Sequence, residues 1–226
     1  MHSQVSFEHN GTPVISRPSS PLLAIPAHIF SVLFHPLFIP LYVMYFLAFV
    51  HPSYFSGFSY GAKRQALFII TLNAVLFPLF CVLLLKALGF IDSFLLKTRK
   101  DRIIPYIACG IFFFWTYTVF RQQEQYPPVV SSFLLGVFLA SSAALIANIY
   151  FKISMHAIGM GGVIGLFLII LFSNTMLMTW PLSLAFLVTG LVCTSRLIVS
   201  DHEPREIYLG LAIGIICQFA GNLVVG

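Results

Sequence analysis

Charge is what this sequence has least of. Asp, Glu, Lys and Arg together make up 8% of its 226 residues, where a soluble domain carries about a quarter. So few charges cannot wet the surface of a globule this size, which excludes water as the solvent for most of it. Cysteine is also scarce: Cys81, Cys109, Cys193 and Cys217 stand singly inside apolar stretches. Without a C-x-x-C pair they suggest neither a zinc site nor a disulfide framework, and they read as small buried hydrophobes. No basic start leads into a short apolar core and a small-residue cleavage site, so no cleavable signal peptide is expected. Acidic residues are missing from the apolar stretches altogether, which argues against a transporter built on an intramembrane proton relay.

What is present is apolar, with 59% hydrophobic residues and a mean hydropathy of +0.95. Crossing a bilayer takes about 20 mainly apolar residues in a helix. Segments of that kind lie near 28–50, 66–90, 103–120, 130–151, 157–179, 182–199 and 207–225. The boundary between the fifth and sixth rests on Trp180-Pro181, an interfacial aromatic followed by a turn-former. The expected fold is therefore all-α, a polytopic transmembrane bundle of six or seven spans over 27–226. Residues 1–26, mixed in Ser, Pro, His and Asn, are expected to form a flexible N-terminal arm. Gly161 with Gly165, and Gly210 with Gly214, stand four apart, a spacing that lets helix backbones approach closely in lipid. Asn73, Asn148 and Asn174 fall inside spans and are expected to make interhelical hydrogen bonds. His28 and His35 on the first span read as packing or as an interfacial polar patch.

Alternating seven spans brings the loops at 91–102, 152–156 and 200–206 to one face. That face collects Lys97, Arg99, Lys100, Arg102, Lys152, Arg196 and Arg205, with His156, His202, Asp201, Glu203 and Glu206. The other face holds Lys63, Arg64, Arg121 and Glu124. Enrichment of Lys and Arg in cytoplasmic loops accounts for the basic residues alone. It does not account for two histidines and carboxylates in the same place, which mark a candidate site.

The richest stretch runs from Ser195-Arg196 through His202 to Glu206, a pattern S-R-x5-H-x3-E. If a helix starts just after His202, Glu206 lies one turn along and reaches the imidazole. A carboxylate there fixes the ring tautomer and raises the basicity of the other nitrogen, as a nucleophilic histidine requires. Arg196 offers a planar fork for phosphate oxygens.

In these residues the chain resembles the type 2 phosphatidic acid phosphatase superfamily, also called the lipid phosphate phosphatase family. Its motifs are K-x6-R-P, P-S-G-H and S-R-x5-H-x3-D. The third is matched at Ser195, Arg196 and His202, with Glu206 where the family has Asp. The second is echoed by Ser154-Met155-His156, with Met155 in the glycine position. The first is matched loosely between Lys97 and Pro105, where Lys97, Arg99, Lys100 and Arg102 compete for its cationic roles and Arg102 is preferred. The resemblance implies an integral membrane phosphatase acting on a lipid phosphate or diphosphate, with no cofactor and no metal. By the same resemblance His202 is the nucleophile, Glu206 orients it and His156 protonates the leaving oxygen. Arg196, Arg102, Lys97 and Ser154 would hold the phosphate. The alternative is a non-catalytic relative that binds or moves a phospholipid. The expected partners are the bilayer and a lipid phosphate, not nucleic acid, and the small size suggests a bacterial inner membrane.

Overall fold

The computed structural model describes residues 5–7, 13–15, 21–91, 99–173, 175–199 and 202–226. Val5–Phe7 (β1) and Pro13–Ile15 (β2) pair as a short antiparallel ribbon with Val5 opposite Ile15. The rest of the regular structure is helical: α1 (Pro21–Leu33), α2 (Ile39–Tyr45), α3 (Tyr60–Ile70), α4 (Phe77–Ala87), α5 (Arg99–Arg121), α6 (Pro128–Tyr150), α7 (Met155–Ser173), α8 (Thr179–Val199) and α9 (Pro204–Val225). A π turn at Phe46–Val50 extends α2, and another at Thr71–Leu76 joins α3 to α4. Seven of the resulting helical segments are long and apolar enough to cross a membrane. Hydrocarbon offers no partner to a backbone N–H or C=O, so helices that satisfy their own backbone are the solution open to such a chain. The fold is an all-α polytopic bundle.

Exposed aromatics mark its two ends. Tyr150 and Tyr208 are 75% and 71% exposed at one end, Tyr60 and Trp180 68% and 83% at the other, in keeping with the preference of Tyr and Trp for the membrane–water boundary.

Three local features depart from the sequence reading. The first span is interrupted, because Pro36 has no N–H to give and biases the residue before it away from helix. His35 is accordingly extended (φ −60°, ψ 135°) and a 3-10 turn, Pro36–Phe38, separates α1 from α2. Asn73 does not reach across to a neighbour: within the π turn its Nδ2 donates to the Ile69 carbonyl of its own helix at 2.9 Å. The fifth span ends at Ser173, and Trp180-Pro181 lies inside the first turn of α8. A proline there forfeits no intrahelical hydrogen bond, so the pair does not break the helix. Asn174 lies outside the described residues.

The stretch from His35 to His51 is pinned at both ends against α7. The His35 ring meets that of His156, the second residue of α7, with centroids 5.4 Å apart. His51 Nε2 lies 3.2 Å from Thr175 Oγ1, just past the other end. By helix rise, α7 covers about 28 Å. The helix α1 packs instead on α8.

The closest packing is between α7 and α9, and α6 also packs on α9. A methyl group on Gly161 would collide with the Leu211 carbonyl, and one on Gly214 with the Ile158 carbonyl. The two glycine pairs singled out in the sequence thus meet each other. Gly221 likewise lets α9 approach α6, where a methyl would sit 2.7 Å from the Ser132 carbonyl oxygen. This packing sets the first turn of α7 beside the first turns of α9, and so places His156 near His202 and Glu206.

Candidate functional site

The site is assembled where α8 ends and α9 begins. Pro204 opens α9, its fixed φ suiting the first helical position, and a reciprocal capping box follows. Glu203 accepts from the Glu206 backbone, while Glu206 Oε2 accepts from the Glu203 N–H at 3.2 Å. The same Oε2 lies 2.7 Å from His202 Nδ1. Glutamate, one methylene longer than aspartate, makes this reach of one turn and caps the helix as well. With Nδ1–H donated to the carboxylate, Nε2 carries the imidazole lone pair. The two side chains are only 4% and 10% exposed.

Burial pushes the His202 imidazole below its ordinary value of 6.5. The Glu206 carboxylate pulls it upward, and the positive charges of Arg196 and Lys152 add to the downward push. The downward push prevails, which favours the neutral form of the ring.

His156 sits in the first turn of α7, its Nε2 2.9 Å from the Ser31 carbonyl. A carbonyl only accepts, so Nε2 carries the hydrogen and Nδ1 is the nitrogen left for chemistry. Arg196 Nη1 donates to the Ser31 hydroxyl at 3.2 Å. One buried residue of α1, Ser31, thereby holds both groups. Arg102, near the start of α5, donates from Nη1 to the Ile153 carbonyl at 3.4 Å. Its guanidinium is close enough to Arg196 for the two charges to repel, an arrangement that favours an anion between them.

Arg102, His156, Arg196 and His202 all line one cavity of about 540 Å³. From this polar end it runs between apolar walls to Phe113, Phe133 and Gln218. Gln218 lies fourteen residues into α9, about 20 Å along the helix at 1.5 Å per residue. Leu79 and Leu83, 41% and 47% exposed, line the same cavity, so it opens sideways toward lipid at α4. Among the described residues, no three His, Cys, Asp or Glu side chains gather as a group that would hold a metal ion.

Of the residues singled out in the sequence, His202, Glu206, His156, Arg196 and Arg102 are brought together. Ser154 is placed differently: it is fully buried, and its Oγ accepts from the Ala157 N–H at 3.5 Å, capping α7. It does not line the cavity, so direct phosphate contact from its hydroxyl is not part of this arrangement. Lys97 and Asp201 lie outside the described residues. Sequence reasoning missed three residues. Ser31 acts partly through a backbone carbonyl, which has no sequence signal. His35, read in the sequence as packing or an interfacial polar patch, lines the cavity with its ring edge-to-face on His156. Gln218, 1% exposed, has an amide nitrogen without a hydrogen-bond partner among the described residues.

The Glu206–His202 contact carries a testable sign. Glu206 raises the His202 pKa by hydrogen bond and charge, so Glu206→Gln should lower it further. The acid limb of any His202-dependent kcat/KM profile is then expected to move to lower pH. The plateau should fall by about 10²-fold or more as the orienting carboxylate is lost. An acid limb that moves upward would contradict this reading of the pair.

No family model, curated protein or solved structure matches the chain.

Proposed function

We propose that this protein is a membrane phosphatase that hydrolyses a lipid phosphate or diphosphate through a phosphohistidine intermediate. The single observation that supports the reading best is the His202–Glu206 contact at 2.7 Å, on the wall of a cavity also lined by Arg196, Arg102 and His156. Binding a phosphate requires only the cations. A neutral imidazole oriented by a carboxylate is an added part, and it suits nucleophilic attack.

In the proposed reaction the phosphate enters the polar end, and the apolar tail lies in the cavity with its remainder in lipid beside Leu79 and Leu83. The His202 Nε2 lone pair attacks phosphorus while the bond to the lipid oxygen breaks. A proton from the hydroxyl of the substrate phosphate passes through His156 Nδ1 to that oxygen, releasing a lipid alcohol. Arg196 and Arg102 stabilise the equatorial oxygens, where positioned positive charge is the main source of rate in phosphoryl transfer. A water then attacks phosphorus, and its proton passes through His156 Nδ1 to the departing phosphate. The N–P bond breaks, inorganic phosphate leaves and His202 returns to its neutral form. A bacterial inner membrane is the setting that suits a small bundle with short loops.

One observation favours the second reading, a relative that binds phospholipid without turnover: Ser154 is occupied in capping α7 and lies off the cavity wall. The test is phosphate release from a panel of phosphatidic acid, phosphatidylglycerol phosphate and polyprenyl diphosphate by detergent-purified protein. Release from at least one lipid is the expected result. Saturable binding without release from any of them would replace the phosphatase reading with the second one.

A further inference from the structure

We propose that His35, on the first span and outside all three motifs, donates a hydrogen bond from Nε2 to the phosphate group of the substrate. The proposal rests on the phosphate-binding part of the function above, and it adds a contact from an element that the motif resemblance does not include.

The argument begins with the backbone. Proline at position 36 holds His35 extended and starts a 3-10 turn whose first amide groups need acceptors. His35 Nδ1 accepts from the Leu37 N–H at 3.3 Å. An imidazole nitrogen that accepts carries no hydrogen, so in the neutral ring the hydrogen sits on Nε2. The cap therefore makes Nε2 a permanent donor.

The ring's position gives that donor a destination. His35 lines the cavity together with His156, Arg196, Arg102 and His202. Its ring stands edge-to-face on His156, at an interplanar angle of 86°. His156 has its own Nε2 committed to Ser31, so the two rings do different work: one presents a nitrogen for proton transfer, the other an N–H. A donor beside the group that protonates the leaving oxygen, in a cavity already lined by two guanidinium groups, suits a phosphate ester oxygen.

Two substitutions separate this role from capping. In His35→Asn the amide oxygen stands where Nδ1 does, so the cap is kept and the cavity donor is lost. In His35→Gln the amide nitrogen reaches the place of Nε2, so the donor is kept and the cap is lost. Binding of inorganic phosphate and of dioctanoyl phosphatidic acid would be titrated with detergent-purified full-length protein, beside thermal melting and phosphate release. His35→Asn is expected to melt like the unsubstituted protein and bind both probes about 10- to 100-fold more weakly, the range for a hydrogen bond to a charged group. His35→Gln is expected to bind within about threefold while melting earlier. Equal binding by His35→Asn and the unsubstituted protein, or weakening that tracks melting in both variants, would overturn the proposal. If the unsubstituted protein binds and His35→Asn binds weakly but nothing is hydrolysed, the His35 contact stands and the phosphatase reading falls. Binding of neither probe by the unsubstituted protein would remove both.

Discussion

Replacing His202 by alanine is expected to lower phosphate release by about 10⁴-fold or more, the scale seen when a covalent nucleophile is removed. The loss should be in kcat. The groups assigned to phosphate binding, Arg196 and Arg102, reach the cavity from α8 and α5, so a lipid phosphate should still bind with little change. The fold should also survive. The hydrogen bond that His202 makes is to Glu206, and the Glu206 carboxylate keeps its bond from the Glu203 N–H when the ring is gone. A burst of bound but unhydrolysed substrate separates this outcome from unfolding. The comparison is single-turnover release against equilibrium binding for the same preparation.

Replacing Gly214 by leucine should have the largest effect on stability. Even a methyl group there would collide with the Ile158 carbonyl and sit 2.8 Å from the Gly162 nitrogen. Both obstacles are backbone of α7, which cannot turn aside as a side chain can. The helices must separate, at a cost of at least about 1–3 kcal/mol for an overpacked contact. Separation also draws His156, on α7, away from Glu206, on α9. A clear drop in melting temperature in detergent is expected, with loss of any activity. Gly190→Leu is the control, since nothing lies within 4 Å of a methyl at that position. Similar melting of the two variants would contradict the assignment of α7 and α9 as the close-packed pair.

The membrane-spanning architecture was legible because lipid imposes a simple length requirement on apolar helices, and the seven observed spans answer it. Their edges were less legible where proline is ambiguous. Pro36 breaks a helix and Pro181 opens one, yet both follow an aromatic residue in an apolar run. The polar end shows the same division. Glu206 one turn after His202 is a local relation, and helix geometry reads it directly. Ser154 precedes a helix, where a serine serves equally as a cap or as a ligand; packing decides for the cap. His35 meets His156 only through tertiary structure. In sequence it is one of two histidines in an apolar span; Pro36 sets its backbone apart from that of His28, which is exposed, but gives no sign of the cavity. Gln218 is similar: one amide in an apolar helix acquires meaning only from the cavity it lines.

The most direct measurement is to trap the intermediate. The purified protein would be mixed with a ³²P-labelled lipid phosphate, quenched in alkali, where phosphohistidine survives, and digested for peptide mapping. The expected result is acid-labile label on the peptide containing His202, absent from His202→Ala. Hydrolysis that proceeds with no label on His202, or with label retained in His202→Ala, would contradict the covalent mechanism at the centre of this account.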